Sequence, residues 1–209
     1  MSEVKEKIVL IGGGGHARSV VDAIERMGVY DIVGFVDADP TTSYKSYRTI
    51  GCDDDLERIY KSGVHLAVIC VGFLGNSSLR KKLYDHAKSI GFSLPVIIDP
   101  SSEIADDASM GEGSFIGKLA VVNSNARLGV MTIVNTAAII EHDCRVDDFS
   151  HVAVNATLCG DVSVGRAVLI GAGSVVIQGV SIGSDALVGA GAIVLGNVAE
   201  GERAVGIYG

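Results

Sequence analysis

Residues 139–152 read IIEHDCRVDDFSHV. Apolar side chains fall at Ile140, Val146 and Val152, six apart, with Glu141, His142, Asp143, Asp147 and His151 between them. A period of six belongs neither to an α-helix, whose apolar stripe returns every three or four residues, nor to a lone strand, which alternates every two. Extended in both directions the step holds from Ile104, Met110 and Ile116 to Ile182, Val188 and Val194, sixteen positions without a slip. Four residues after each comes a small or modest side chain, as at Ala108, Ser114, Ala120, Ala126, Thr132, Ala138, Cys144 and Ser150. This register predicts a solenoid, in which every repeat lays one aliphatic residue into a stacked core that no single repeat buries alone. The two histidines lie off that ridge, so the fold does not require them.

The composition agrees. Of 209 residues 48% are hydrophobic and only 5% aromatic, with no Trp and 27 Gly, which describes a narrow core of Val, Ile, Leu and Ala. A net charge of −8 argues against nucleic acid and anionic membrane surfaces as partners. Cys52, Cys70, Cys144 and Cys159 form no CxxC pair and read as reduced thiols. No apolar run approaches the ~20 residues of a membrane span, and the four-residue run before the N-terminal glycines is too short for a signal peptide. The expectation is a cytoplasmic protein.

Residues 7–98 have a different rhythm. KIVLI (7–11) reads as a buried strand ending in GGGG (12–15), followed by Val20, Val21, Ile24 and Met27 at helical spacing and Gly28 as a stop. IVGFV (32–36) is a second strand, and 37–52 reads as a polar loop. DDDLERIYKSG suggests a short helix, LAVICV (66–71) a third strand, Asn76-Ser77-Ser78 the cap of a helix ending near Gly91, and SLPVIID (93–99) a final strand. Such alternation implies a small parallel sheet faced by helices, Rossmann-like, over residues 1–100, with the solenoid over 101–209. Gly12-x-Gly14-x-x-Ala17, between a strand and a helix, matches a phosphate-binding fingerprint, and Asp37 closes the second strand where a ribose-binding acid belongs. A plain glycine turn is the competing reading.

The hexads LGVMTI (128–133), IGAGSV (170–175) and VGAGAI (188–193) resemble those of the hexapeptide-repeat acyltransferases, whose repeats wind a left-handed parallel β-helix. With IGGGGHA (11–17), FVDAD (35–39), VGFLGNSSLRKK (71–82), VNTAAIIEHDC (134–144) and FSHVAVNA (149–156), nearly the whole chain is similar to the nucleotide-sugar N-acetyltransferases and the related sialic acid O-acetyltransferases. The resemblance implies a homotrimer with acetyl-CoA bound between neighbouring solenoids and a UDP-sugar held by the N-terminal half. It implies Gly14, His16, Asp37, Gly72, Asn76 and Asn135 on the nucleotide-sugar side. On the acetyl-CoA side it implies His151, Gly160, Ala172, Gly173 and Ala190.

Among five histidines, His142 is the catalytic candidate. It falls between the inward positions Ile140 and Cys144 and so points outward, and a near-neutral imidazole suits taking a proton from an attacking amine or hydroxyl. Asp143 beside it is placed to orient the ring, although the resembling family commonly carries the longer Glu there. His151, nine residues on, is half of an eighteen-residue coil away, so the two histidines point to opposite sides of one prism and converge only across a subunit boundary. Turn N–H groups such as those of Gly160 and Gly173 are candidates for holding an oxyanion. Cys144, at an inward position, reads as packing. The γ-class carbonic anhydrases share the solenoid but bind zinc through three histidines; two are present here, so no metal is expected. Acetylation of a sialic acid or another sugar hydroxyl, and a non-catalytic nucleotide-sugar-binding scaffold, remain open beside N-acetylation. The chain ends in AVGIYG (204–209) where the family carries a V-G-x-P-A segment and a further tail.

Overall fold

The computed structural model describes residues 5–73 and 75–209. Two compact units are present, one built from residues before Phe73 together with Ser78–Pro95, the other from Phe73–Ser77 and Val96–Gly209.

The first unit is an α/β sheet. Strand β1 (Glu6–Ile11) runs parallel to both β2 (Tyr30–Val36) and β5 (Leu66–Ile69), and its last four residues are fully covered. Helix α1 (Gly15–Met27) buries Ala17, Val20, Val21, Ala23 and Ile24 along one stripe and stops at Gly28, whose left-handed φ of 73° lets its N–H reach the Ile24 carbonyl. Two further helices, α2 (Leu56–Lys61) and α3 (Ser78–Ile90), fall where the apolar spacing places them.

Two expectations fail here. The supposed polar loop holds a hairpin, β3 (Ser43–Tyr44) and β4 (Tyr47–Gly51), and β4 extends the sheet to the order β3-β4-β2-β1-β5. YRTIG is half-exposed, with only the two-residue β3 beyond it, and too short and polar to stand out from its surroundings. Gly34 shows why it docks: at φ 146°, an added Cβ there would come within 2.7 Å of the Arg48 carbonyl oxygen. The second failure is SLPVIID. It touches the sheet at one bridge, Leu66 with Ser93, after which Ile97–Ile98 pairs with Phe115–Ile116. Pro95 has no N–H to continue a ladder, and Ile98 sits one six-residue step before Ile104. The final strand of the first unit is therefore the first rung of the second.

The second unit is a left-handed parallel β-helix. All sixteen sixfold positions end a two-residue strand, from Glu103–Ile104 to Ile193–Val194. Strands pair in parallel eighteen residues apart, as in Val121 with Ile139 and Ile139 with Thr157, so three hexads close one coil. Three faces result. The first runs from Ile97–Ile98 to Arg203–Ala204, the second from Glu103–Ile104 to Ile207–Tyr208, and the third from Ser109–Met110 to Ser181–Ile182. The second residue of each strand and the small residue four later fill a continuous core that includes Val122, Ala126, Ile140, Cys144, Val152 and Ala156.

From Gly113 to Gly191 each corner contains a residue with positive φ, and at Leu119, Asn125, Met131, Ala137, Asp143, Phe149, Asn155, Asp161, Ala167 and Asp185 it is not glycine, with φ of 55–61°. Such a backbone costs about 1–2 kcal/mol per L-residue. The offset is a coil-to-coil hydrogen bond from that same residue, such as Asp143 N–H to the Ser124 carbonyl at 3.0 Å. After Val194 the step of six ends but the solenoid does not: Val188 pairs with Ala204 and Val194 with Tyr208, closing a shortened last coil.

Candidate active site

The corner between the second and third faces carries Glu141, His142, Asp143 and Cys144. Ile140 and Cys144 are fully buried on either side, which forces the His142 side chain outward, where 60% of it is exposed. Asp143 occupies the left-handed position with φ 61°, and from there its short side chain turns back to the ring: Oδ2 lies 2.9 Å from His142 Nδ1. The Asn125 amide, one coil earlier, donates to Asp143 Oδ1 at 2.7 Å. One coil later, Gly160 lies beneath the ring, and an added Cβ there would sit 2.6 Å from both Cε1 and Nε2. Glu141 Oε2 accepts from the His142 N–H at 3.2 Å and from Asn123 Nδ2 at 3.1 Å.

These contacts determine the protonation pattern. The hydrogen bond to Asp143 raises the His142 pKa above its ordinary value, with Asp143, Glu141 and Asp161 adding charge in the same direction. Asp143 is held below the usual carboxylate range, first by Asn125 and then by His142. An ionised carboxylate only accepts, so Nδ1 carries the proton facing Asp143 and Nε2 presents a lone pair over Gly160. Burial pushes the Cys144 thiol up to about 11, and its Sγ donates to the Cys159 carbonyl at 3.1 Å, in keeping with a packed thiol.

His151 stands on the first face. It leaves the first face outward, as its place in the strand requires, but only 8% of it is exposed because Phe73 of the same unit covers it. Its Nδ1 is 3.0 Å from the Phe73 carbonyl oxygen and its Nε2 is 3.2 Å from Asn135 Nδ2. Asn135 Oδ1 accepts from the Thr136 N–H at 2.8 Å, so the amide presents its NH2 to His151, whose proton is then on Nδ1. Both ring nitrogens are engaged within the chain.

The remaining solenoid candidates divide between two corners. Gly160 lies with His142, while Ala172, Gly173 and Ala190 follow the first face, the face of His151, along with Asn135. The second face separates the two groups. Gly173 is not an available donor, because its N–H is given to the Val154 carbonyl at 2.9 Å. The N–H groups of Gly160, Ala172 and Ala190 have no acceptor among the described residues. Asn76 is exposed, in the segment that clusters with the solenoid.

In the first unit, the glycines divide by role. Gly12 has φ 91° and donates to the Val36 carbonyl, and Gly13 leaves no room for a Cβ against Thr42. Gly14 and Gly15 have neither excuse: a Cβ at either would meet nothing within 4 Å, and neither φ is positive. Glycine at both keeps the α1 N-terminus bare, which suits close approach by a phosphate. Asp37 binds this turn rather than standing free, with Oδ2 accepting from the Gly13 N–H at 2.7 Å and Oδ1 from the Asp39 N–H at 2.9 Å. His16, half-buried, lies beside Gly72, where an added Cβ would be 3.7 Å from the His16 Cβ.

Residues missed from the sequence are Asn123, Asn125, Thr42 and the Arg18–Tyr44 stack, with a guanidinium-to-ring distance of 5.5 Å. The first two stand eighteen residues before Glu141 and Asp143, a spacing that marks stacked neighbours once the coil length is known. Among the described residues no group of three His, Cys, Asp or Glu is placed to hold a metal, and no helix is long and apolar enough to cross a membrane.

A family model described as the PglD N-terminal domain matches residues 7–87. Among solved structures, a histidine-substituted GDP-perosamine N-acetyltransferase from Caulobacter crescentus, in complex with CoA and GDP-perosamine, is 33% identical with a TM-score of 0.92, over 97% of this chain and 95% of that one. The acetyltransferase domain of PglB from Neisseria gonorrhoeae, in complex with acetyl coenzyme A, is 32% identical with a TM-score of 0.90, over 97% of each chain. WeeI from Acinetobacter baumannii, 22% identical with a TM-score of 0.74 over 97% of each chain, shares the fold. No curated protein matches.

Proposed function

The chain belongs to the hexapeptide-repeat family of sugar N-acetyltransferases, and we propose that His142 is the base by which it moves an acetyl group from acetyl-CoA to the amine of a nucleotide-linked sugar. The observation that carries the reading is the pair His142–Asp143 at 2.9 Å, with Nε2 unengaged by Asp143 and facing out over Gly160. In the step, the amine lone pair attacks the thioester carbonyl carbon while Nε2 accepts the amine's proton. Asp143 steadies the imidazolium that forms. The tetrahedral oxyanion is offered the N–H of Gly160, or those of Ala172 and Ala190 from a neighbouring copy, in place of the Gly173 N–H already committed to Val154. Collapse breaks the carbon–sulfur bond, and the departing CoA thiolate takes the proton back from His142.

The first unit holds the nucleotide sugar in this reading, its diphosphate on the bare α1 N-terminus at Gly14 and Gly15, with His16 and Gly72 toward the sugar and base. The solenoid holds acetyl-CoA. Support for a homotrimer comes from the outward residues that follow Glu103 on the second face, Val121, Ile139, Thr157, Val175, Ile193 and Ile207; the exposed members Val175, Ile193 and Ile207 form an unbroken aliphatic column. That face lies between the His142 corner and the first-face group, so a copy seated on it brings one chain's His142 toward the next chain's Asn135, Ala172 and Ala190.

The test is transfer from labelled acetyl-CoA to UDP-, GDP- and CMP-linked amino sugars, free amino sugars and sialic acids. UDP is the nucleotide the sequence resemblance implies, and GDP is the one in the C. crescentus complex. Nucleotide-linked amines are expected to react, and His142→Ala to lower kcat/KM by about 10²–10⁴. Reaction of free sugars or sialic acids alone sinks the reading.

A further inference from the structure

Asn125 takes no part in the reading above, yet it is the residue on which the His142 pair rests. It lies one coil before Asp143 at the equivalent corner, and both have left-handed backbones, φ 55° and 61°, so their side chains stack. Its Nδ2 donates to Asp143 Oδ1 at 2.7 Å, shorter than the contact between Asp143 Oδ2 and the ring. Its Oδ1 faces Arg127 Nη2 at 3.4 Å. A guanidinium only donates and a carboxylate only accepts, so the amide has one productive orientation, oxygen to Arg127 and NH2 to Asp143. Asp143 is half-exposed and short, and a carboxylate held at one oxygen loses the rotation that would carry its other oxygen off the imidazole.

We infer that Asn125 is a positioning residue for acetyl transfer: oriented by Arg127, its amide holds the Asp143 carboxylate, which in turn holds His142 with Nε2 toward the acceptor. This rests on His142 being the base. Asn125 acts through Asp143 and touches no reacting atom. The charged groups around the pair are Glu141 and Asp161 on the His142 side, and Arg145 and Asp107 on the Asp143 side. Asn125 is a neutral donor to Asp143, which makes its substitution readable as a change in charge as well as in geometry.

The experiment compares Asn125→Ala, Asn125→Asp and His142→Ala in the full chain, with kcat and KM, the acid limb of kcat/KM against pH, and the imidazole titration of His142 by NMR. Thermal melting identifies any variant that fails to fold. Asn125→Ala is expected to lower kcat about three- to tenfold, the size of one lost hydrogen bond, with KM for acetyl-CoA unchanged. Its acid limb and the NMR titration both move to lower pH. The sign follows from the pairing: ionised Asp143 holds the His142 pKa up, and a carboxylate free to swing away stabilises the imidazolium less. Asn125→Asp removes the donor too and loses rate in the same way, but its extra negative charge keeps the titration at or above the wild-type value. A part confined to folding moves neither titration. If His142→Ala is inactive while Asn125→Ala keeps the wild-type kcat and titration, the inference fails and the base reading stands. If His142→Ala retains full activity, both fail.

Discussion

Gly160 shows how much of the site is decided by single atoms. Its φ is not positive, so its backbone suits alanine, and the three atoms nearest an added methyl group all belong to the His142 ring, the closest at 2.6 Å. Gly160→Ala is therefore expected to leave the melting temperature nearly unchanged while pushing the imidazole off line, with kcat reduced about 10–100-fold. Wild-type kcat in a folded Gly160→Ala protein would mean that the ring is not seated there during turnover. At this scale the sequence was half-legible. That His142 points outward followed from Ile140 and Cys144 alone. That Asp143 reaches it did not, because a shorter acid was rescued by a left-handed corner that nothing in EHDC announces. The outward direction of His151 is legible in the same way, whereas its cover by Phe73, seventy-eight residues earlier, is not.

A solenoid rung buries its inward residue against the rungs above and below, so a cavity there is felt in three coils. Ile140 is fully buried between Val122 and Leu158. Ile140→Ala is expected to cost about 2–5 kcal/mol, measured by urea unfolding of the full chain. A cost below 1 kcal/mol would mean that the ridge does not carry the core. The elements themselves were readable wherever a period was long. Sixteen two-residue strands fall on the sixfold step, whereas β3 and β4 belong to no repeat, and Ile97–Ile98, though on the step, lies inside the apolar run SLPVIID that reads as part of the α/β half. Beyond Val194 the step fails because the last coil is shortened, and only pairing with Val188 and Val194 shows that residues 203–208 still belong to it.

At the scale of the molecule, the proposed chemistry needs groups that one chain keeps apart. His142 and Gly160 occupy one corner, Asn135, Ala172 and Ala190 another, and the aliphatic second face lies between. The double substitution Val175→Glu and Ile193→Glu places charge on that face without touching either group. It is expected to yield monomers in sedimentation and to abolish transfer together with assembly. A monomeric variant that keeps full activity would end the shared-site reading, as would a monomeric parent protein.

The order of residues alone specifies the solenoid, its inward ridge, the α/β half before it and the outward aim of His142. All of these follow from periodic burial, and a period is a property of the chain itself, present before it folds. Tertiary structure decided what the periods do not encode. It set which polar side chains meet across eighteen residues, as Asn125 meets Asp143, and which outward residue is covered by a distant loop, as Phe73 covers His151. It also set which turn N–H is already taken, as at Gly173. Hydrogen bonds are short and directional, so they depend on how corners stack and loops return, whereas the hydrophobic ridge depends only on which residues recur.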